Sequence, residues 1–256
     1  MAFLLAGQGI RSHAADLDPP KPAAALAETG TSRTESVEAA YRAAQQAALT
    51  RATPESLWQL GRAAFDHAEL LGKPKAKALV AENGIKACRA AVRQSPSLTP
   101  AHYYLALCLG QLAQTKTLGA LRLVREMEAE FETVHLLDER YDYAGADRGL
   151  GLLYLEAPGW LGLGDKRQAR SRLERAVVLA PQYPENRLNL LELLVRSKDL
   201  RNAQSQLAEI ERVWPGAKTE FTGQPWAAAW LDWDTRKAAL TARLQKLRPG
   251  RDATPH

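Results

Sequence analysis

The chain is poor in the side chains that most often hold metals or act as nucleophiles: it has two cysteines and five histidines. Their placement excludes the common arrangements. Cys88 and Cys108 form no C-x-x-C, and His13, His67, His102, His135 and His256 give neither an H-E-x-x-H nor any other ligand pair. Neither G-x-S-x-G nor G-x-x-x-x-G-K-[ST] occurs, so the nucleophile elbow and the phosphate loop are missing. Both cysteines fall within helical patterning and read as small buried hydrophobes. No catalytic residue, metal ligand or cofactor site emerges, and the expectation is a protein that is not an enzyme. A run of about 18 apolar residues, the minimum for a membrane-spanning helix, is also absent. The formal net charge of +5 comes from arginines scattered along the chain. There is no dense basic stripe interleaved with aromatics, so nucleic acid is not an expected partner.

Strand alternation is missing too, because β-branched residues are sparse. Alanine, leucine, arginine and the acidic and amide residues fill the stretches between glycines and prolines. These are good helix formers, and the chain reads as all-α.

A repeat organises it. Ala169, Leu173, Ala176 and Pro181 recur 34 residues later as Ala203, Leu207, Ile210 and Pro215, at the period of the tetratricopeptide helix pair. Leu150, Gly151 and Tyr154 supply the first-helix signature of one repeat, and Leu190, Leu191 and Leu194 that of the next. Small residues let the paired helices approach, larger apolar ones fill the groove, and a proline is expected to close each second helix. Earlier in the chain, Thr53 caps a first helix that opens at Pro54 and carries Leu60-Gly61; Gly84, Cys88, Ala91 and Pro96 follow as its second-helix half. Leu105, Ala106 and Leu109, with Met127, Phe131 and Val134, complete four repeats. The expected fold is a tetratricopeptide-like α-solenoid of about four helix pairs. An N-terminal helix around Glu35 to Leu49 precedes it, and a capping helix from Pro225 to Leu247 presents Trp226, Trp230 and Trp233 on one face.

The helical-repeat domain is expected over residues 34–248, between a leader (1–33) and a short tail (249–256). Within the leader, the apolar Met1 to Ala6 and the small-x-small Ser12-His13-Ala14 look like the remnant of a signal peptide, with a disordered tail as the alternative.

The stretch LLDERYDYAGADRGLGLLYLEAPGW, ending at Trp160, together with GDKRQARSRLERAVVLAPQYPENRLNLLELL, beginning at Gly164, resembles the T component of tripartite ATP-independent periplasmic (TRAP) transporters. The more specific parts are Asp142 to Gly151, the loop Ala157 to Gly159, the turn Gly164-Asp165 and the late Trp230 to Asp234. The resemblance covers about residues 85–235. It implies a bacterial periplasmic protein, soluble or membrane-associated, that works beside a substrate-binding protein and a permease for organic acids or other hydrophobic ligands, and that can form a homo-oligomer. Proteins of this kind are often lipid-anchored, and no cysteine stands near the start of this chain. The alternative is a general interaction scaffold in envelope assembly, or a cytoplasmic one.

Candidate binding residues come from the first helices, whose faces line the inner groove: Tyr103, Arg148, Glu156, Glu192 and Arg196. Arg148 suits a ligand carboxylate, or else an inter-repeat salt bridge to Asp147 or Asp142. Trp160, among glycines, suits a clamp on a hydrophobic ligand or a plug between repeats. Asn186 and Asn189 line the groove or sit solvated on a helix, and Tyr141 and Tyr143 staple a repeat or stack on something bound. A deep apolar channel would point to a small ligand, and an open polar face to a peptide.

Overall fold

The computed structural model describes residues 30–116, 118–157 and 162–247. Most of the leader, the tail and Trp160 lie outside the described residues. Ten α-helices and no strand occur among the described residues: α1 (Gly30–Thr50), α2 (Pro54–Leu70), α3 (Pro74–Gln94), α4 (Thr99–Ala113), α5 (Ala120–Leu137), α6 (Tyr141–Glu156), α7 (Lys166–Leu179), α8 (Pro184–Arg196), α9 (Leu200–Glu220) and α10 (Gln224–Leu247). Helices α1 to α9 each pack chiefly on a neighbour in sequence, as a solenoid requires. Four helix pairs, α2/α3 to α8/α9, carry the repeat; α1 docks on α2, and α10 on α8 and α9.

The local signals explain the boundaries. The Thr53 hydroxyl caps α2 by accepting from Ser56 N, and Ser56 returns the bond to Thr53 N, with Pro54 at the first helical position. The Asp165 carboxylate caps α7 by accepting from Arg167 N and Gln168 N, and Asp199 caps α9 by accepting from Asn202 N. Pro96 and Pro181 stand just beyond α3 and α7, where proline cannot continue a helix.

Pro215 departs from that expectation, because α9 runs through it to Glu220. Glu211, whose carbonyl loses its helical donor at Pro215, lies on the exposed face of α9. The opposite face continues with buried Trp214, Ala217 and Phe221 against α10. That burial outweighs the break, which costs about 3 kcal/mol in an ordinary helix interior.

Helix α4 is the spine: all its residues from Ala101 to Ala113 are buried, so it is covered on every side. Small residues allow close approaches between neighbouring helices, α2 with α3 and α5 with α6. A methyl group at Gly61 would stand 2.0 Å from Cys88 Sγ, and one at Gly149 would stand 2.6 Å from the Phe131 ring. Both cysteines are free and fully buried, and Cys108 Sγ donates to Gly61 O at 3.4 Å. Burial also pushes the Cys88 thiol pKa well up. Both therefore act as packing residues.

Gly61→Ala is expected to destabilise the chain by about 1–3 kcal/mol through overpacking. Because the clash is with one sulfur, adding Cys88→Ala should recover part of the loss. Urea unfolding of the three variants checks this; a neutral Gly61→Ala, or a double variant no better than the single one, would contradict the packing described.

Candidate ligand-binding cavity

Arg148 lies on α6 with its side chain wholly buried, and three successive first helices converge on it. Nη2 donates to Asp142 Oδ2 at 2.5 Å and to Tyr103 Oη of α4 at 3.1 Å. Nη1 donates to the carbonyls of Asp142 (3.0 Å) and Tyr143 (3.2 Å) and to Asn186 Oδ1 of α8 (3.2 Å). The guanidinium also lies over the Tyr183 ring, 5.2 Å from its centroid. Burial works against its charge, yet Tyr103 and Asp142 outweigh that and its pKa is raised. The same burial pushes the Tyr103 phenol well above its ordinary value, so it stays a neutral donor to Asp142.

This network holds an unusual backbone. Asp142, Tyr143 and Ala144 have φ of 49°, 54° and 62°, a left-handed turn at the head of α6 made without glycine. Such residues cost roughly 1–2 kcal/mol each. Arg148 satisfies the carbonyls of Asp142 and Tyr143, and Asn186 Nδ2 adds a bond to the latter at 2.8 Å. The Tyr143 ring stacks on Tyr183, centroids 4.5 Å apart, with Phe221 and Trp226 edge-on.

From α8 the lock passes to α10. Buried Glu185 accepts from Trp233 Nε1 at 2.7 Å and from Arg236 Nη1 at 2.6 Å. Arg236 Nη2 also donates to Asn189 Oδ1 at 2.6 Å and to Glu192 at 3.4 Å. Burial alone would raise the Glu185 pKa; Arg236, Trp233 and Arg148 overcome it and hold the carboxyl at about 2.

Beside these locks the inner faces of the first helices enclose a cavity of ≈ 350 Å³. Its walls are largely apolar: Phe65 of α2, Leu107 of α4, Met127 of α5, and Leu152, Leu153 and Leu155 of α6. Gln111 and Gln114 of α4, Glu156 of α6, Asn189, Glu192 and Arg196 of α8, and Arg243 of α10 supply its polar groups. Two of these residues carry a polar atom that is sealed off from solvent and from the cavity space. Gln111 Oε1 and Asn189 Nδ2 are buried and lack any hydrogen-bond partner, although the residues are only 4% and 2% exposed. The volume is at the lower end of the range for small-molecule pockets.

Three of the sequence-derived candidates, Glu156, Glu192 and Arg196, meet at this cavity. Tyr103 and Arg148 do not: both are sealed in the buried network, where a partner's surface cannot reach them without unfolding it. Arg148 pairs with Asp142 of its own helix rather than across repeats, and reaches the neighbouring repeats through Tyr103 and Asn186, while Asp147 is taken by His135, Arg172 and Arg175. Asn189 lines the cavity and Asn186 belongs to the lock. Tyr143 packs inside the molecule, and so do Trp226 and Trp233 of the capping helix. Gln111, Arg236 and Arg243 were not anticipated. The one available signal was Gln111, an amide within the otherwise apolar run LALCLGQLA. Among the described residues no group of His, Cys, Asp and Glu suits a metal ion, and no helix is long and apolar enough to cross a membrane.

Comparison with known proteins agrees with the architecture. Residues 23–120, less than half of the chain, match a family described as Regulator of microtubule dynamics protein 1-3. Among solved structures, the chain is similar to a thermophilic TPR protein of Thermus thermophilus, at 19% identity and a TM-score of 0.58, over 82% of this chain and 93% of that one. No curated protein matches. The chain thus has a tetratricopeptide-like helical-repeat fold.

Two outcomes are expected from the locks. Arg148→Met should lower stability by about 3–5 kcal/mol, since it strands the buried Asp142; a variant of unchanged stability in urea unfolding would show that the arginine does not hold the repeats together. Glu185 contributes in full above the ordinary glutamate range and its contribution is lost as pH falls toward about 2. Glu185→Gln should therefore flatten the acid limb of a stability-against-pH curve, by on the order of 3 kcal/mol between pH 5 and 2; an unchanged limb would argue against the depressed carboxyl.

Proposed function

We propose that the chain is a non-catalytic binding subunit whose inner cavity receives a small, mainly apolar organic molecule. It would work beside a substrate-binding protein of a TRAP-type transport system in the bacterial periplasm. One observation carries the ligand part of this reading: a largely apolar cavity of ≈ 350 Å³ lined by the first helices. The transport setting rests on the sequence resemblance centred on Asp142 to Gly159, whose Asp142 and Arg148 build the buried lock beside that cavity. The similarity to a thermophilic TPR protein supports the helical frame alone. The family match ends at Ala120, where α5 begins, so it spans Phe65, Leu107, Gln111 and Gln114 of the cavity and none of its α6, α8 or α10 walls.

A second reading, an interaction scaffold for a partner protein, has its own support. Leu136, Leu137 and Val178 are 82%, 40% and 76% exposed at the ends of α5 and α7. Those ends lie together, because Arg140 donates to Leu179 O at 2.8 Å. An apolar edge of this kind suits a protein surface.

Leu152 is only half-buried in the cavity wall, so Leu152→Trp should fill the space without disturbing the core. The purified wild type should release a small organic molecule on denaturation, seen by mass spectrometry, and Leu152→Trp should not. Crosslinking in periplasmic extract should join the chain to a solute-binding protein. Absence of any released molecule would remove the ligand reading; crosslinks only to envelope-assembly factors would favour the scaffold.

A further inference from the structure

We infer that one edge of the solenoid docks on an anionic lipid surface, through lysines that are scattered in the sequence and gathered by the fold. This docking is independent of what the cavity holds.

The connections 71–73, 114–119, 157–165 and 197–199 each turn a first helix back into its second, so they lie along one edge of the array. Ion pairs between repeats hold them side by side: Lys116 with Glu82, Arg196 with Glu156 and Arg170 with Asp199. The end of α10 joins them, because Arg243 lines the cavity together with Gln114, Glu156 and Arg196. Lys73, Lys75 and Lys77 open α3, Lys116 and Lys198 stand in the connections, and Lys166 opens α7. With Lys246 in the last turn of α10, seven of the ten lysines among the described residues are on this edge, which is far more basic than the modest net charge suggests. Among the described residues Lys116 alone of the seven is ion-paired. The acids of the edge are engaged elsewhere: Asp165 and Asp199 cap helices, and Glu156 holds Arg196. Glu69, half-buried in the last turn of α2, is the other carboxylate there.

A cluster of this size is what holds a protein to anionic headgroups, each cation adding its own increment and salt screening the sum. Two exposed leucines favour a bilayer over other polyanions. Leu118, 88% exposed, follows Lys116 in the connection to α5, and Leu79, 61% exposed, lies one turn beyond Lys75 on the same face of α3. Apolar side chains set among basic ones enter the boundary between headgroups and acyl chains. A single-stranded nucleic acid would call instead for exposed aromatics on which bases stack, and none stands on this edge among the described residues. The row of lysines runs from the first repeat to the capping helix, which suits a broad charged plane better than a single acidic side chain.

The test is co-sedimentation of the full-length protein with vesicles of phosphatidylcholine, alone or with about one-third phosphatidylglycerol, at roughly 0.1 M salt. Binding should require the anionic lipid and fall steeply as salt is raised. Lys73→Glu with Lys75→Glu should weaken it at least about tenfold, and Lys166→Glu with Lys198→Glu by a similar factor. Glutamate in the first turn suits the positive end of a helix, so the first pair keeps its fold, which thermal unfolding verifies. Lys86→Glu with Lys218→Glu makes the same change in net charge away from the edge and should leave binding within about threefold. Binding to neither vesicle, equal binding to both, or an equal loss in the two-residue variant away from the edge would overturn the proposal. Binding to duplex DNA or to polyglutamate without binding to the anionic vesicles would overturn it too, and would assign the edge to nucleic acid or to an acidic protein.

Discussion

A single buried guanidinium sets the geometry of the central repeats. Arg148 has no access to water, so every donor it carries must find an acceptor inside the protein or cost free energy. Nη1 and Nη2 find them on α4, α6 and α8 together, while Nε is left without one, and two of the acceptors are carbonyls of a left-handed turn that no helix would otherwise present. The arginine and the turn thus depend on each other: the charge needs carbonyls pointing inward, and the backbone needs a cation to hold that conformation. The consequences pass outward through contacts. Asn186 and Tyr183 fix the start of α8, Glu185 then meets Trp233 and Arg236 of α10, and Arg236 orients the Asn189 amide. The capping helix is in this sense an extra wall added to the repeat array, running beside α8 from Glu185 to the cavity mouth at Arg243.

That chain of contacts separates two jobs that first helices usually combine. In a repeat solenoid their exposed faces commonly form the recognition surface. Here the charged residues nearest the middle of the array are withdrawn into the core as locks, and the space left between the walls is apolar and small. The chemistry on offer in that space is then chiefly shape and apolar surface.

Much of this was legible in the sequence, and the reasons are local. Thr53 with Pro54, Asp165, and the small residues at Gly61 and Ala169 each announce a helix start or a close crossing, so the four pairs and the capping helix could be read in advance. Pro215 misled because a proline's effect depends on what its helix buries beyond it; Trp214, Ala217 and Phe221 bury enough to carry α9 past the break. Arg148 could be singled out but its role could not, since sequence shows neither the depth of a side chain nor the partners it meets 38 and 45 residues away. Arg236 and Arg243 lay beyond the repeat period, and only the way α10 docks brings them to the groove.

Electron density in the cavity of the full-length protein purified from its native source tests the central claim most directly. The account predicts a compact non-protein feature flanked by Leu107, Leu152 and Leu153. A cavity filled by ordered water alone, or one closed by side chains that turn inward, would contradict it and leave the locks as the support of an interaction scaffold.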